Sequence, residues 1–170
     1  MDASKRILIA MDDSDASNRA VVYTARMIGG KKGFRIRLFH VLAPLPPKLM
    51  EFESAQEPKR DRRGDAKREE AHAQWIAQGK KAAQPVFARA KSILRKARIP
   101  AHAVETELFT PGTDQDLATH ILEGARVSQC NTIVVGRASF FGLREILQQH
   151  AHVADELIRK AQGLSVWVVE

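Results

Sequence analysis

The sequence predicts an α/β protein: an open, doubly wound sheet of five parallel strands in the order 3-2-1-4-5, with helices on both faces. Three observations lead there. Short, wholly apolar runs such as Ile7-Leu8-Ile9-Ala10-Met11 and Ile133-Val134-Val135 are those of strands covered on both faces. These runs alternate with segments of helical periodicity, giving the order βαβαβαβαβ. Polar or glycine punctuation follows two of the strands, Asp12-Asp13-Ser14 after the first and Gly136 after the fourth. That is where open α/β folds turn sharply and place ligands.

In order, residues 6–11 form the first strand, and Ser14 or Asp13 caps the helix that follows. Ala20, Thr24, Met27 and Ile28 are its inward residues, and Gly29-Gly30 stops it. Phe34–Val41 is the second strand, with Phe34, Ile36, Leu38 and His40 on one face and Arg35, Arg37, Phe39 and Val41 on the other. Residues 42–64 hold Pro44, Pro46, Pro47 and Pro58 and few large apolar side chains, so they read as a loop or crossover insertion. From about Ala66 the pattern is helical, with Trp75, Ala82, Ala83, Val86, Ala90, Ile93, Leu94 and Ala97 on one side. Pro85 is expected to kink or divide this helix, and Gly79 to weaken it. It stops before Ile99-Pro100, because the residue ahead of a proline disfavours helical backbone. Residues 103–109 make the third strand, and Thr113 caps a helix whose inner face is Leu117, Ile121, Leu122 and Ala125. Residues 131–135 are the fourth strand, a helix runs from Gly142 or Leu143 to Ala161, and Ser165–Val169 closes the sheet. At 170 residues this reads as one domain over 1–170, with an inserted loop and helix extension at about 42–84.

Composition narrows the class. No run is long and apolar enough to cross a bilayer, and the N-terminus lacks a signal-peptide pattern. The lone Cys130 excludes an intramolecular disulfide and any multi-cysteine metal site, so the cytoplasm is the expected compartment. The formal net charge of +7 raises nucleic acid or an anionic ligand as a partner. Yet Asp61 and Asp65 interrupt the cations between 59 and 68. The single one-signed run (Arg89, Lys91, Arg95, Lys96, Arg98) has no aromatic residues interleaved. It reads as a solvated face, so nucleic acid is not the expected partner.

With this strand order the ligand crevice falls between strands one and four. There the Asp12 carboxylate can accept from a ribose hydroxyl, and the loop after Gly136 can offer backbone N–H groups to phosphates. Simpler roles exist for both: Asp12, Asp13 or Ser14 as helix caps, and Gly136 as a turn. A nucleotide-hydrolysing or adenylyl-transfer enzyme is a lesser alternative. The chain lacks a Walker lysine, a nucleophile elbow and an adenylyl-transfer histidine signature, and the adjacent Asp12 and Asp13 cannot face each other as an acid/base pair. At the sheet edge, Val166-Trp167-Val168-Val169 is an apolar pairing template, so a homodimer through this strand is expected.

The chain resembles a universal stress protein domain over nearly its whole length. The resemblance rests on ILIAMDDS, on His40-Val41 closing strand two, on TIVVGRASFFGL and on SVWVV. It implies a non-catalytic stress-response protein, usually dimeric and acting through a protein partner, in a family where some members bind ATP. It places Asp12 by the ribose and Val41 against adenine through its backbone, with Gly136, Arg137 and Ser139 in the phosphate loop. That loop in nucleotide binders reads Gly, two residues, Gly, nine residues, Gly, then Ser or Thr. Here Ser139, Gln149 and His150 stand where the second glycine, the third glycine and the hydroxyl belong. The resemblance therefore keeps the adenosine half of the site and loses the triphosphate half. ATP or AMP is the implied cofactor, with Arg137, His150 or His152 left to supply positive charge. No metal is implied beyond a magnesium ion accompanying the nucleotide.

Overall fold

A computed structural model describes residues 5–42, 62–110, 116–137 and 153–170. The chain runs β1 (Lys5–Met11), α1 (Asp15–Ile28), β2 (Phe34–Val41), α2 (Arg62–Lys96), a 3-10 turn (Ala101–Ala103), β3 (Val104–Phe109), α3 (Leu117–Val127), β4 (Thr132–Gly136), α4 (Val153–Lys160) and β5 (Ser165–Val169). All four strand pairings are parallel, and the order is β3-β2-β1-β4-β5, as the sequence predicts.

The apolar run of β1 is buried on both sides, so its residues divide between two cores by simple alternation. Ile7, Ile9 and Met11 face α1 and α2, joined by Ile36 and Leu38 of β2 and by Val86, Ala90 and Leu94 of α2. Leu8 and Ala10 face α3 and α4, with Phe39 of β2, Ile133 and Val135 of β4, and Leu157 of α4.

Several expectations are corrected in detail. Met27 is exposed: the inner face of α1 is Ala20, Val21, Thr24, Ala25 and Ile28, and Met27 lies on its flank with the exposed Tyr23. Ala82 is exposed, because the contact face of α2 narrows there to Ala83, Val86 and Ala90. The α2 helix begins at Arg62, inside the stretch expected to be loop, and is unbroken through Pro85. Gly79 has a packing cause. A β-carbon there would stand 2.6 Å from Leu42 Cδ2, so the missing side chain seats Leu42 against the helix. Thr113 lies outside the described residues, and the cap of α3 is Asp116. The expected start of the last helix near Gly142 also lies outside them; α4 is described from Val153.

Asp116 joins two helices. Its carboxylate accepts from the Thr119 amide at 3.0 Å, from Thr119 Oγ1 at 2.9 Å and from Lys160 Nζ of α4 at 2.8 Å. Lys160, then the Thr119 donors, hold its pKa well below the usual carboxylate range. A depressed carboxylate stabilises the fold above its unfolded value, about 3.9, and loses that contribution as the pH falls further. Asp116→Ala is expected to cost about 1 kcal/mol in urea unfolding at neutral pH. The gap between variant and wild type should shrink below about pH 4.

Candidate functional site

Strands β1 and β4 are neighbours, and their carboxyl ends open into a cleft of about 70 Å³. Asp12 and Gly136 border it from the two strand ends. Ser14 and Ser17 come from the first turn of α1, Phe39 and Val41 from β2, Leu117 and Ile121 from α3, and Val153 from α4. The walls are thus largely apolar with a few polar groups on one side, the usual make-up of a small-molecule site. Of the residues singled out by sequence, Asp12, Val41 and Gly136 converge here.

Asp12 is held by the helix start that follows it. Ser14 is the N-cap of α1, its hydroxyl accepting from the Ser17 amide at 3.1 Å. Asp12 Oδ1 accepts from the Ser14 amide at 2.9 Å and from Ser17 Oγ at 2.7 Å, while the Asp12 amide donates to Ser17 Oγ at 2.9 Å. Ser14 therefore performs the cap, and Asp12 is a fixed carboxylate on the cleft wall. Ser17 is a cleft residue beyond those that the sequence pattern singles out. Its signal is spacing, a hydroxyl three residues beyond the cap and five beyond the acid.

Gly136 is needed for a different reason than a sharp turn. Its φ is not positive, whereas among the described glycines Gly30, Gly33 and Gly163 have positive values. Instead, a β-carbon at Gly136 would stand 2.1 Å from the Ala16 carbonyl oxygen and 2.3 Å from its carbon. The first turn of α1 lies directly on the end of β4, and no side chain fits between them.

Arg137 does not line the cleft. Its amide donates to the Val169 carbonyl at 2.7 Å, and its own carbonyl accepts from Arg19 at 3.3 Å. Its guanidinium lies between two carboxylates, 3.2 Å from Asp155 and 2.9 Å from Glu170, the latter an ion pair rather than an aligned hydrogen bond. Ser139, Gln149, His150 and His152 lie outside the described residues. Among the described residues, no group of three or more His, Cys, Asp or Glu side chains is placed to hold a metal ion.

Aromatic rings pack on both faces of β2 beside the cleft. Phe39 stacks on Phe109 at 5.7 Å, and a β-carbon at Gly124 of α3 would stand 2.6 Å from the Phe39 ring. Gly124 thus lets this wall close against the helix. On the opposite face of β2, the Met11 carbonyl accepts from His40 Nδ1 at 2.9 Å. Burial pushes the His40 imidazole below its ordinary pKa, opposed by that carbonyl and by Asp12 and Asp13.

The model of the universal stress protein family matches residues 3–170. A protein of that family from Burkholderia pseudomallei is similar in structure, with a TM-score of 0.60 at 17% identity, covering 98% of this chain and 96% of that one. A universal stress protein from Archaeoglobus fulgidus in complex with dAMP matches with a TM-score of 0.53 at 18% identity, covering 97% of each chain. A universal stress protein in complex with cAMP matches with a TM-score of 0.54 at 14% identity, covering 98% of this chain and 96% of that one. At these identities the likeness is one of fold. No curated protein matches the chain.

If the contact with Ala16 is what requires Gly136, Gly136→Ala must harm the protein with no ligand present. A loss of about 1–3 kcal/mol is expected in ligand-free denaturant unfolding, the cost of overpacking a close contact. An unchanged midpoint would return the glycine to a purely ligand-related role.

Proposed function

The chain belongs to the universal stress protein family, and from that premise we propose a non-catalytic stress-response protein that binds an adenine nucleotide between β1 and β4. Adenosine monophosphate is the preferred form over ATP. The observation that carries this reading is the fixed Asp12 carboxylate at the cleft, pre-placed by Ser14 and Ser17. A carboxylate so oriented suits a pair of ribose hydroxyls, and its hydrogen bonds are set before ligand arrives. In this reading the backbone at Val41 meets the base, with Phe39, Leu117 and Ile121 as the apolar wall, and Gly136 begins the phosphate end. Ser139 and Arg137 are secondary contacts there, because the Arg137 guanidinium is already shared by Asp155 and Glu170. The departures at Ser139, Gln149 and His150 from the phosphate-loop pattern favour one phosphate over three. Structurally similar universal stress proteins in complex with dAMP and with cAMP are consistent with this reading.

The protein is further proposed to act as a homodimer. Strand β5 is at the sheet edge, and Val166, Trp167, Val168 and Val169 are each only half-buried. A second β5 running antiparallel across a two-fold axis would pair that edge. Among the described residues, no helix is long and apolar enough to cross a membrane. The proposed setting is a cytoplasmic domain with a protein partner, its 42–84 extension an addition to a single fold.

Two measurements test this. AMP is expected to raise the melting temperature in a concentration-dependent way. Asp12→Asn keeps an oxygen for Ser14 and Ser17 but removes the charge, and should weaken AMP about tenfold or more with little change in unliganded melting. Light scattering is expected to give a dimer that Val168→Asp shifts toward monomer. A wild-type monomer would end the edge-pairing proposal.

A further inference from the structure

The pairing that holds β1 ends just before the residue on which the cleft relies. Pairing with β4 runs from Ile7↔Thr132 to Ala10↔Val135, and pairing with β2 runs from Lys5↔Phe34 to Met11↔His40. Asp12 is beyond both. What holds the chain at this point is a pair of side chains gripping one peptide unit. The Met11 carbonyl lies 2.9 Å from His40 Nδ1, and the amide of the same peptide, that of Asp12, donates to Ser17 Oγ at 2.9 Å. A carbonyl can only accept, so Nδ1 carries the proton and the tautomer is set. Because a peptide unit is planar, gripping it at both its oxygen and its nitrogen fixes its orientation, and with it the direction in which the Asp12 side chain departs.

His40 does this from outside the cleft. It points to the side of the sheet occupied by α1 and α2, whereas Phe39 and Val41 of the same strand line the cleft. Its ring rests edge-on against Phe87 of α2, with centroids 6.0 Å apart and planes at 75°. The same helix reaches the next residue of the loop, Arg89 standing 3.6 Å from Asp13.

We propose that His40 is a positioning residue for Asp12: with Ser17 it clamps the Met11–Asp12 peptide, and through Phe87 it couples helix α2 to the cleft. The consequence for ligand affinity rests on the nucleotide reading of the cleft, but the clamp itself is a property of the ligand-free protein.

The test separates the two. In ligand-free protein, imidazole nitrogen shifts should show His40 protonated at Nδ1 when neutral; the Nε2–H tautomer would overturn the proposal with no variant needed. His40→Leu should speed hydrogen exchange of the Asp12 amide about tenfold while leaving the Leu8 amide unchanged, and should weaken AMP by a similar factor. His40→Asn, whose amide nitrogen replaces Nδ1, should bring both back to wild-type values. A merely space-filling His40 would give the reverse ranking, with leucine tolerated and asparagine not. Unchanged Asp12 exchange in His40→Leu would also overturn the clamp. If exchange responds as stated while wild-type protein fails to bind AMP, the clamp stands and the nucleotide reading falls.

Discussion

The contact of the first turn of α1 with the end of β4 sets the geometry of the cleft. Ala16 lies so close to Gly136 that a single added carbon would stand 2.1 Å from its carbonyl oxygen. That approach brings the N-terminus of α1 over the gap between β1 and β4, and with it Ser14 and Ser17. Those two residues then orient Asp12, which the sheet no longer holds. Strand order supplies a crevice; the close contact decides which backbone and side-chain groups face it.

The two edges of the sheet are treated differently, and the difference bears on assembly. At the β3 edge, Glu105 and Glu107 of β3 pair with Arg37 of the neighbouring β2, so the edge strand itself carries charged side chains. Charges on an edge discourage further strand pairing. At the β5 edge the strand is Ser165 followed by Val166, Trp167, Val168 and Val169, with Trp167 packed edge-on against the exposed Tyr23 at 6.1 Å. Of the two edge strands, β3 carries two carboxylates, whereas β5 from Ser165 to Val169 carries no charged side chain.

Much of this was legible from residue order. Double burial of β1 and β4 shows as unbroken apolar runs, and the alternation of β2 gave His40 and Phe39 their opposite faces correctly. Asp12, Val41 and Gly136 meet because strand ends meet in such a sheet. What one-dimensional pattern could not supply were reasons that depend on distant neighbours. Gly136 looked like a turn and is a contact with Ala16; Gly79 looked like a weakness in α2 and is the seat of Leu42. Arg137 looked available to a phosphate, but Asp155 and Glu170, far along the chain, hold its guanidinium. Met27 fitted the helical spacing, yet the face of α1 is centred one position away. Asp116 caps α3 and also reaches Lys160 on another helix, a contact that local sequence does not show.

In the proposed reading, an adenine nucleotide enters the cleft between β1 and β4. A crystal structure grown with excess AMP tests it most directly. Adenosine is expected between β1 and β4, with a ribose hydroxyl within about 3 Å of an Asp12 carboxylate oxygen. Nucleotide bound elsewhere, or a cleft left empty at saturating AMP, would contradict it.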